Sequence, residues 1–171
     1  MKYLFLILFL FGTAFAEPNV VLNRDITSLK SKVKAYRSSD QAMGSGAYDT
    51  VDFNAESFDI NNEFNTSTYR FQPTKAGYYL ISTYVGINDI DVDDDFILRI
   101  RKNNGSTDST EGVVADKGSV ASHDLRLSLT NLIYLDGNDD YIFVEVYHDY
   151  GSNRNISGGS DESGFIAVQV L

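Results

Sequence analysis

The chain has 171 residues, 43% of them hydrophobic, with 14 basic and 24 acidic side chains, a net charge of −10 and no cysteine. That acidity repels phosphate backbones and anionic lipid, which argues against nucleic acid and membrane insertion. Without cysteine no disulfide can staple the fold, so stability has to come from a packed core and from association.

Lys2 opens the chain, Leu4 to Phe11 form an unbroken apolar run, and Ala14-Phe15-Ala16 precede Glu17 and Pro18. A positive start, an apolar middle and a small-x-small exit make residues 1–16 a secretory signal peptide. The run is shorter than the roughly 20 residues of a membrane span, which disfavours the alternative of an uncleaved anchor. The expected product is therefore secreted and extracellular. Its length of about 155 residues suits one domain. Losing Lys2 with the leader takes the charge from −10 to −11.

Residues 17–47 are expected to form a short stub and linker. Leu22, Ile26, Leu29 and Val33 are spaced four, three and four apart among Arg24, Asp25, Lys30, Lys32 and Lys34. That spacing predicts an amphipathic helix packed on its own domain or a short coiled-coil seam. A stretch rich in small and polar residues follows from Ser38 to Ala47.

From Tyr48 to Leu171 the helical period gives way to alternation. Val51, Phe53, Ala55 and Ser57 alternate with Asp52, Asn54 and Glu56. Further strand-like runs are Tyr69–Phe71, Gly77–Ile87, Asp95–Arg101, Asp124–Leu135, Tyr141–Tyr150 and Ser163–Leu171, separated by Asn, Asp and Gly turns. The spans Asn103–Gly118 and Tyr150–Glu162 read as loops. Short strands with such turns predict an all-β sandwich or jelly roll.

Two strands are apolar on both faces. In Tyr78–Ile87 one face carries Tyr78, Leu80 and Tyr84, the other Tyr79, Ile81, Val85 and Ile87. In the last strand Phe165 and Ala167 alternate with Ile166 and Val168. A sandwich strand with one wet face needs only one apolar set. Tyr79, Ile81, Val85, Phe165, Ile166 and Val168 are therefore expected to divide between the core and a subunit interface; a long loop or the N-terminal helix is the other way to cover the second face.

Several marks recur in a fixed order: Phe53, Phe64-Asn65, Phe71-x-Pro73, Gly77-x-Tyr79 with Ser82, the Lys102-Asn103-Asn104-Gly105 turn, Leu135-Asp136-Gly137-Asn138-Asp139 before Tyr141–Val144, and Ser163-Gly164-Phe165-Ile166. Together they resemble the globular head of complement C1q, a jelly-roll family related to tumour necrosis factor, over about residues 48–171. Two departures are Glu162, where the family places an aromatic, and Asn138 within the Gly-Asp turn. No collagen-like repeat precedes the head. The resemblance implies a ten-stranded jelly roll that forms a homotrimer and binds an extracellular protein or carbohydrate.

Catalytic signals are sparse. His123 and His148 are the only histidines, and no nucleophile elbow or phosphate-cradling loop is present. His148 continues the Ile142, Val144 and Val146 face and reads as a half-buried rim residue. Glu145 with Asp149 is a carboxylate pair of low specificity, and an enzyme is not expected. The acidic run Asp91, Asp93, Asp94 and Asp95 invites calcium, which takes six to eight oxygen ligands. It lacks the glycine and the terminal glutamate of a helix-loop-helix site, so a solvated loop is the competing reading. Asn65, Asn104 and Asn155 each begin an Asn-x-Ser/Thr triplet: glycan acceptors in a eukaryotic secretory pathway, chance in a bacterial one.

These features converge on a secreted trimeric recognition module engaging protein or glycan by avidity. The rival is a structural head that trimerises and caps an extracellular filament or coat without a ligand of its own.

Overall fold

The computed structural model describes residues 30–118 and 123–170, and among them the chain is built of strands with no helix. In chain order these are β1 (Lys32–Tyr36), β2 (Gln41–Met43), β3 (Tyr48–Thr50), β4 (Ala55–Asp59), β5 (Phe64–Asn65), β6 (Arg70–Phe71), β7 (Gly77–Ile90), β8 (Asp95–Asn104), β9 (Asp108–Lys117), β10 (His123–Leu135), β11 (Asp140–His148), β12 (Arg154–Ile156) and β13 (Gly164–Gln169). Every pairing between them is antiparallel.

The thirteen strands make two layers, seven in one sheet and six in the other, against the ten the resemblance implied. One sheet runs β4-β1-β13-β7-β10, with β12 and β2 continuing along the edge of β7 beyond β13. The other runs β5-β6-β11-β8-β9, with β3 beside β11. First and last strands lie side by side in the middle of a sheet, which is jelly-roll topology and bears out the expected fold. The core follows from alternation: Tyr79, Ile81, Val85 and Ile87 of β7 face Ile142, Val144 and Val146 of β11 between the sheets, all buried. At its centre Phe165 sits 5.4 to 6.1 Å, ring to ring, from Phe53, Phe64 and Phe71. Tilted aromatic clusters of this kind add to simple area burial.

The structure moves the boundary drawn at residue 48. Residues 32–36 are neither helix nor coiled coil but strand β1, held between β13 and β4. Val33 and Ala35 are fully buried while Lys32, Lys34 and Tyr36 point outward. Five residues satisfy either period, and pairing on both edges decides for the strand. The supposed linker holds β2, whose Met43 is buried, and Gln41, whose amide donates to Thr50 O and accepts from Asp52 N. Residues 1–29, with the expected signal peptide and Leu22, Ile26 and Leu29, lie outside the described residues.

Asn103–Gly118, read as a loop, contains the ten-residue strand β9. It is an edge strand whose side chains are mostly exposed, so no apolar alternation marks it. Polar residues on an edge discourage pairing with other chains. The stretch 150–162 likewise holds β12.

Candidate functional site

The two outer faces of the sandwich differ in kind. On the β11-β8-β9 sheet the outward side chains satisfy one another. Arg99 pairs with Glu145 at 2.6 Å and lies 3.3 Å over the Tyr48 ring, which in turn packs on Tyr147. Glu145 is thereby committed to Arg99 and to the more distant Arg101, and Asp149 accepts from Asp95 N, so the two carboxylates do not form a catalytic pair.

On the other sheet a row of outward side chains is apolar and, among the described residues, uncovered. Tyr78 (45% exposed) packs edge-on against Tyr134 (48%), its cross-strand partner. Leu80 (42%) is paired across to Leu132 (50%) on β10 and to Val168 on β13. Ile166 continues the patch beside Ser82, and Lys32 and Lys34 of β1 border it. A contiguous row of large apolar side chains on three adjacent strands is more than scattered surface hydrophobics.

Of the six residues expected to divide between core and interface, Tyr79, Ile81, Val85 and Phe165 belong to the core of this chain, and Ile166 and Val168 lie on its outer face. Leu132 and Tyr134 escaped notice, although the run Leu132-Ile133-Tyr134-Leu135 is apolar at every position and so on both faces. His148 is fully buried rather than at a rim; its ring stacks on Phe96 and its Nε2 lies 3.3 Å from Met43 O.

The acidic run forms the β7–β8 turn, closed by Asp93 N and Asp94 O bonding to Gly118. Asp95 reaches Lys117 at 3.9 Å, and among the described residues no group of three or more ligating side chains converges to hold a metal ion. Burial, followed by the charges of Asp149 and Asp91, pushes the Asp94 carboxyl above its ordinary pKa, and its Oδ2 is buried without a partner.

Asn65 and Asn104 sit exposed as the last residues of β5 and β8, each side-chain oxygen capping N–H groups of the turn that follows. Asn155 lies in strand β12, where Ser157 of its triplet is buried and bonded to Asn88.

Near Asn65 the molecule carries a cleft of about 760 Å³, lined by residues 62–66, 68, 70, 72–74 and the 137–138 turn. Local sequence explains its walls. Gly137 (φ 73°) brings the β10–β11 turn against residues 75–76, where a Cβ would stand 2.4 Å from Ala76 N. Asp136 accepts from Asn138 N and Asp140 N, and these backbone bonds hold its carboxyl below the ordinary range. Glu63 is only 4% exposed. Its Oε1 accepts from both N and Oγ1 of Thr74, at 2.8 Å each, while Oε2 is buried with no partner. No pattern in the chain marks this glutamate, because its surroundings depend on two loops meeting.

No protein-family model and no curated protein matches the sequence. Solved structures do match in shape. The globular domain of zebrafish complement 1qA superposes with a TM-score of 0.64 at 17% identity, covering 84% of this chain and 98% of that one. Murine APRIL matches with a TM-score of 0.66 at 10% identity over 83% of this chain and 100% of that one. The Eiger TNF of S. frugiperda matches at 0.64 with 9% identity, over 84% and 94%. Strand order, the paired terminal strands and these superpositions agree: the chain has the C1q/TNF-like jelly-roll fold.

Proposed function

We propose that this chain is exported and acts as a homotrimeric recognition module that binds an extracellular protein or carbohydrate by avidity, without catalysis. The uncovered apolar face of β10, β7 and β13 carries the reading. Its tyrosines and leucines are oriented away from a core that is already complete, and none of the described residues covers them. A second copy is the simplest occupant, since each copy brings the same face and a closed ring leaves none exposed. Three heads then present identical loops together, and weak single contacts add up on a repetitive target.

The test is the mass in solution of the protein lacking residues 1–16, followed by binding to a glycan and cell-surface array. A trimer that binds, and loses binding when made monomeric, supports the reading. A monomer overturns it, and a trimer that binds nothing on the array turns it into a structural head.

A further inference from the structure

We infer that Asn65 and Asn104 accept N-linked glycans in a eukaryotic secretory pathway and that Asn155 does not. This goes beyond the recognition reading and draws on it only for export. As sequence the three triplets are equivalent: Asn65-Thr66-Ser67, Asn104-Gly105-Ser106 and Asn155-Ile156-Ser157 all satisfy the acceptor rule, with no proline in the middle. The fold separates them.

Transfer needs the asparagine amide nitrogen and the hydroxyl two residues on to be within reach of one enzyme. At Asn65 and Asn104 both are available. Asn65 Oδ1 accepts from Ser67 N at 2.9 Å and Thr68 N at 3.0 Å, and Asn104 Oδ1 from Ser106 N at 3.1 Å and Thr107 N at 2.9 Å. These Asx turns occupy the side-chain oxygen and leave each Nδ2 without a hydrogen bond among the described residues. Ser67 and Ser106 are exposed, and their hydroxyls make no hydrogen bond among the described residues. Asn155 is itself exposed, but its triplet is extended, in β12 between β2 and β7. Ser157 is only 6% exposed, and its hydroxyl donates to Asn88 Oδ1.

The difference also holds before folding is complete. An Asx turn closes within a few residues and needs no distant partner, so it forms locally as the chain emerges. Asn155 has no such turn: its strand partners, Ala42 and Asn88, are remote in sequence, and Ile156 favours an extended backbone. When β12 pairs, the Ser157 hydroxyl is withdrawn. In the transfer itself, asparagine Nδ2 attacks the anomeric carbon of an oligosaccharide carried on a polyprenyl diphosphate. A carbon–nitrogen bond forms, the bond from that carbon to the diphosphate oxygen breaks, and the diphosphate leaves with the electron pair. Nδ2 gives up one proton to a base of the host transferase. β5 and β8 belong to the second sheet, so neither acceptor is on the sheet that carries the apolar face of β10, β7 and β13.

The chain is expressed in a eukaryotic host cell with a host leader in place of residues 1–16, so a failure of its own leader does not affect the result. Peptide N-glycosidase in heavy-oxygen water converts each glycosylated asparagine to a labelled aspartate, and peptide mass spectrometry reads the labelled fraction at each position. Secreted and intracellular chains are both read, so poor secretion does not hide the answer. Most molecules should be labelled at Asn65 and at Asn104, and few at Asn155. Ser67→Ala and Ser106→Ala, both at exposed positions, should each abolish the label at their own asparagine and leave the other unchanged. Label at Asn155 equal to that at the other two overturns the inference, and so does its absence from either Asn65 or Asn104. The recognition reading fails separately, by a monomeric mass.

Discussion

Replacing Leu80 and Leu132 with aspartate should convert the proposed trimer to a folded monomer. The two side chains remain 42% and 50% exposed on the isolated chain and face one another across β7 and β10. Full burial of a leucine is worth about 1.5–3 kcal/mol, so covering the remaining half contributes about 1 kcal/mol at each position. Two leucines in each of three interfaces come to about 6 kcal/mol per trimer. Aspartate forfeits that contribution and adds several kcal/mol for each carboxylate dehydrated without a partner. The chain itself should still fold, since neither side chain belongs to the core; the cost within the monomer is the strand preference of aspartate, about 1 kcal/mol. Sedimentation equilibrium at micromolar concentration measures the mass, and circular dichroism checks the fold. Val92→Ser, at a residue 48% exposed in the β7–β8 turn, is the control and should leave the mass unchanged. A parent protein that sediments as a monomer refutes the reasoning, and so does a double variant that is folded and still trimeric.

Other substitutions probe different parts of the argument. Phe165→Ala removes the ring that touches Phe53, Phe64 and Phe71, and should cost about 3–5 kcal/mol in urea unfolding; a loss under about 1 kcal/mol would mean that the aromatic cluster is not the centre of the core. Asp94→Asn tests the acidic β7–β8 turn. Because burial and the neighbouring carboxylates raise its folded pKa above the ordinary 3.8, folding disfavours the charged form. Its contribution to stability is therefore fully present below pH 3.8 and is lost as pH rises through the raised value. The asparagine variant should melt higher than the parent at about pH 7 and equal to it at about pH 3; an equal gain at both pH values would contradict the assignment. Calcium or a chelator should leave the melting temperature unchanged, and a rise with calcium would show that the acidic turn closes on the ion.

What could be read from the sequence followed from how strongly each segment is forced by burial. Strands β7, β10, β11 and β13 are lined by core residues, so their alternation carried the fold class and the placement of their side chains. β9 carried no such pattern, because an edge strand with mostly exposed side chains is fixed by its backbone bonds to β8 and not by its composition. β1 was misassigned for a different reason: Val33 belongs equally to a spacing of four from Leu29 and to a spacing of two from Ala35, and only the distant β13 selects between them.

The same distinction applies to function. The apolar outer face was visible as a second hydrophobic set on β7 and β13, since uncovered area leaves a compositional trace wherever it occurs. The Glu63 cleft left none. Its lining comes from a hairpin near residue 65 and a turn near residue 137, brought together by Gly137 against residues 75–76. A single unpartnered carboxylate oxygen has meaning only once both are in place. Surfaces that bury area can thus be sought in a sequence like this one, whereas sites that complete a hydrogen-bond set have to be sought in the folded chain.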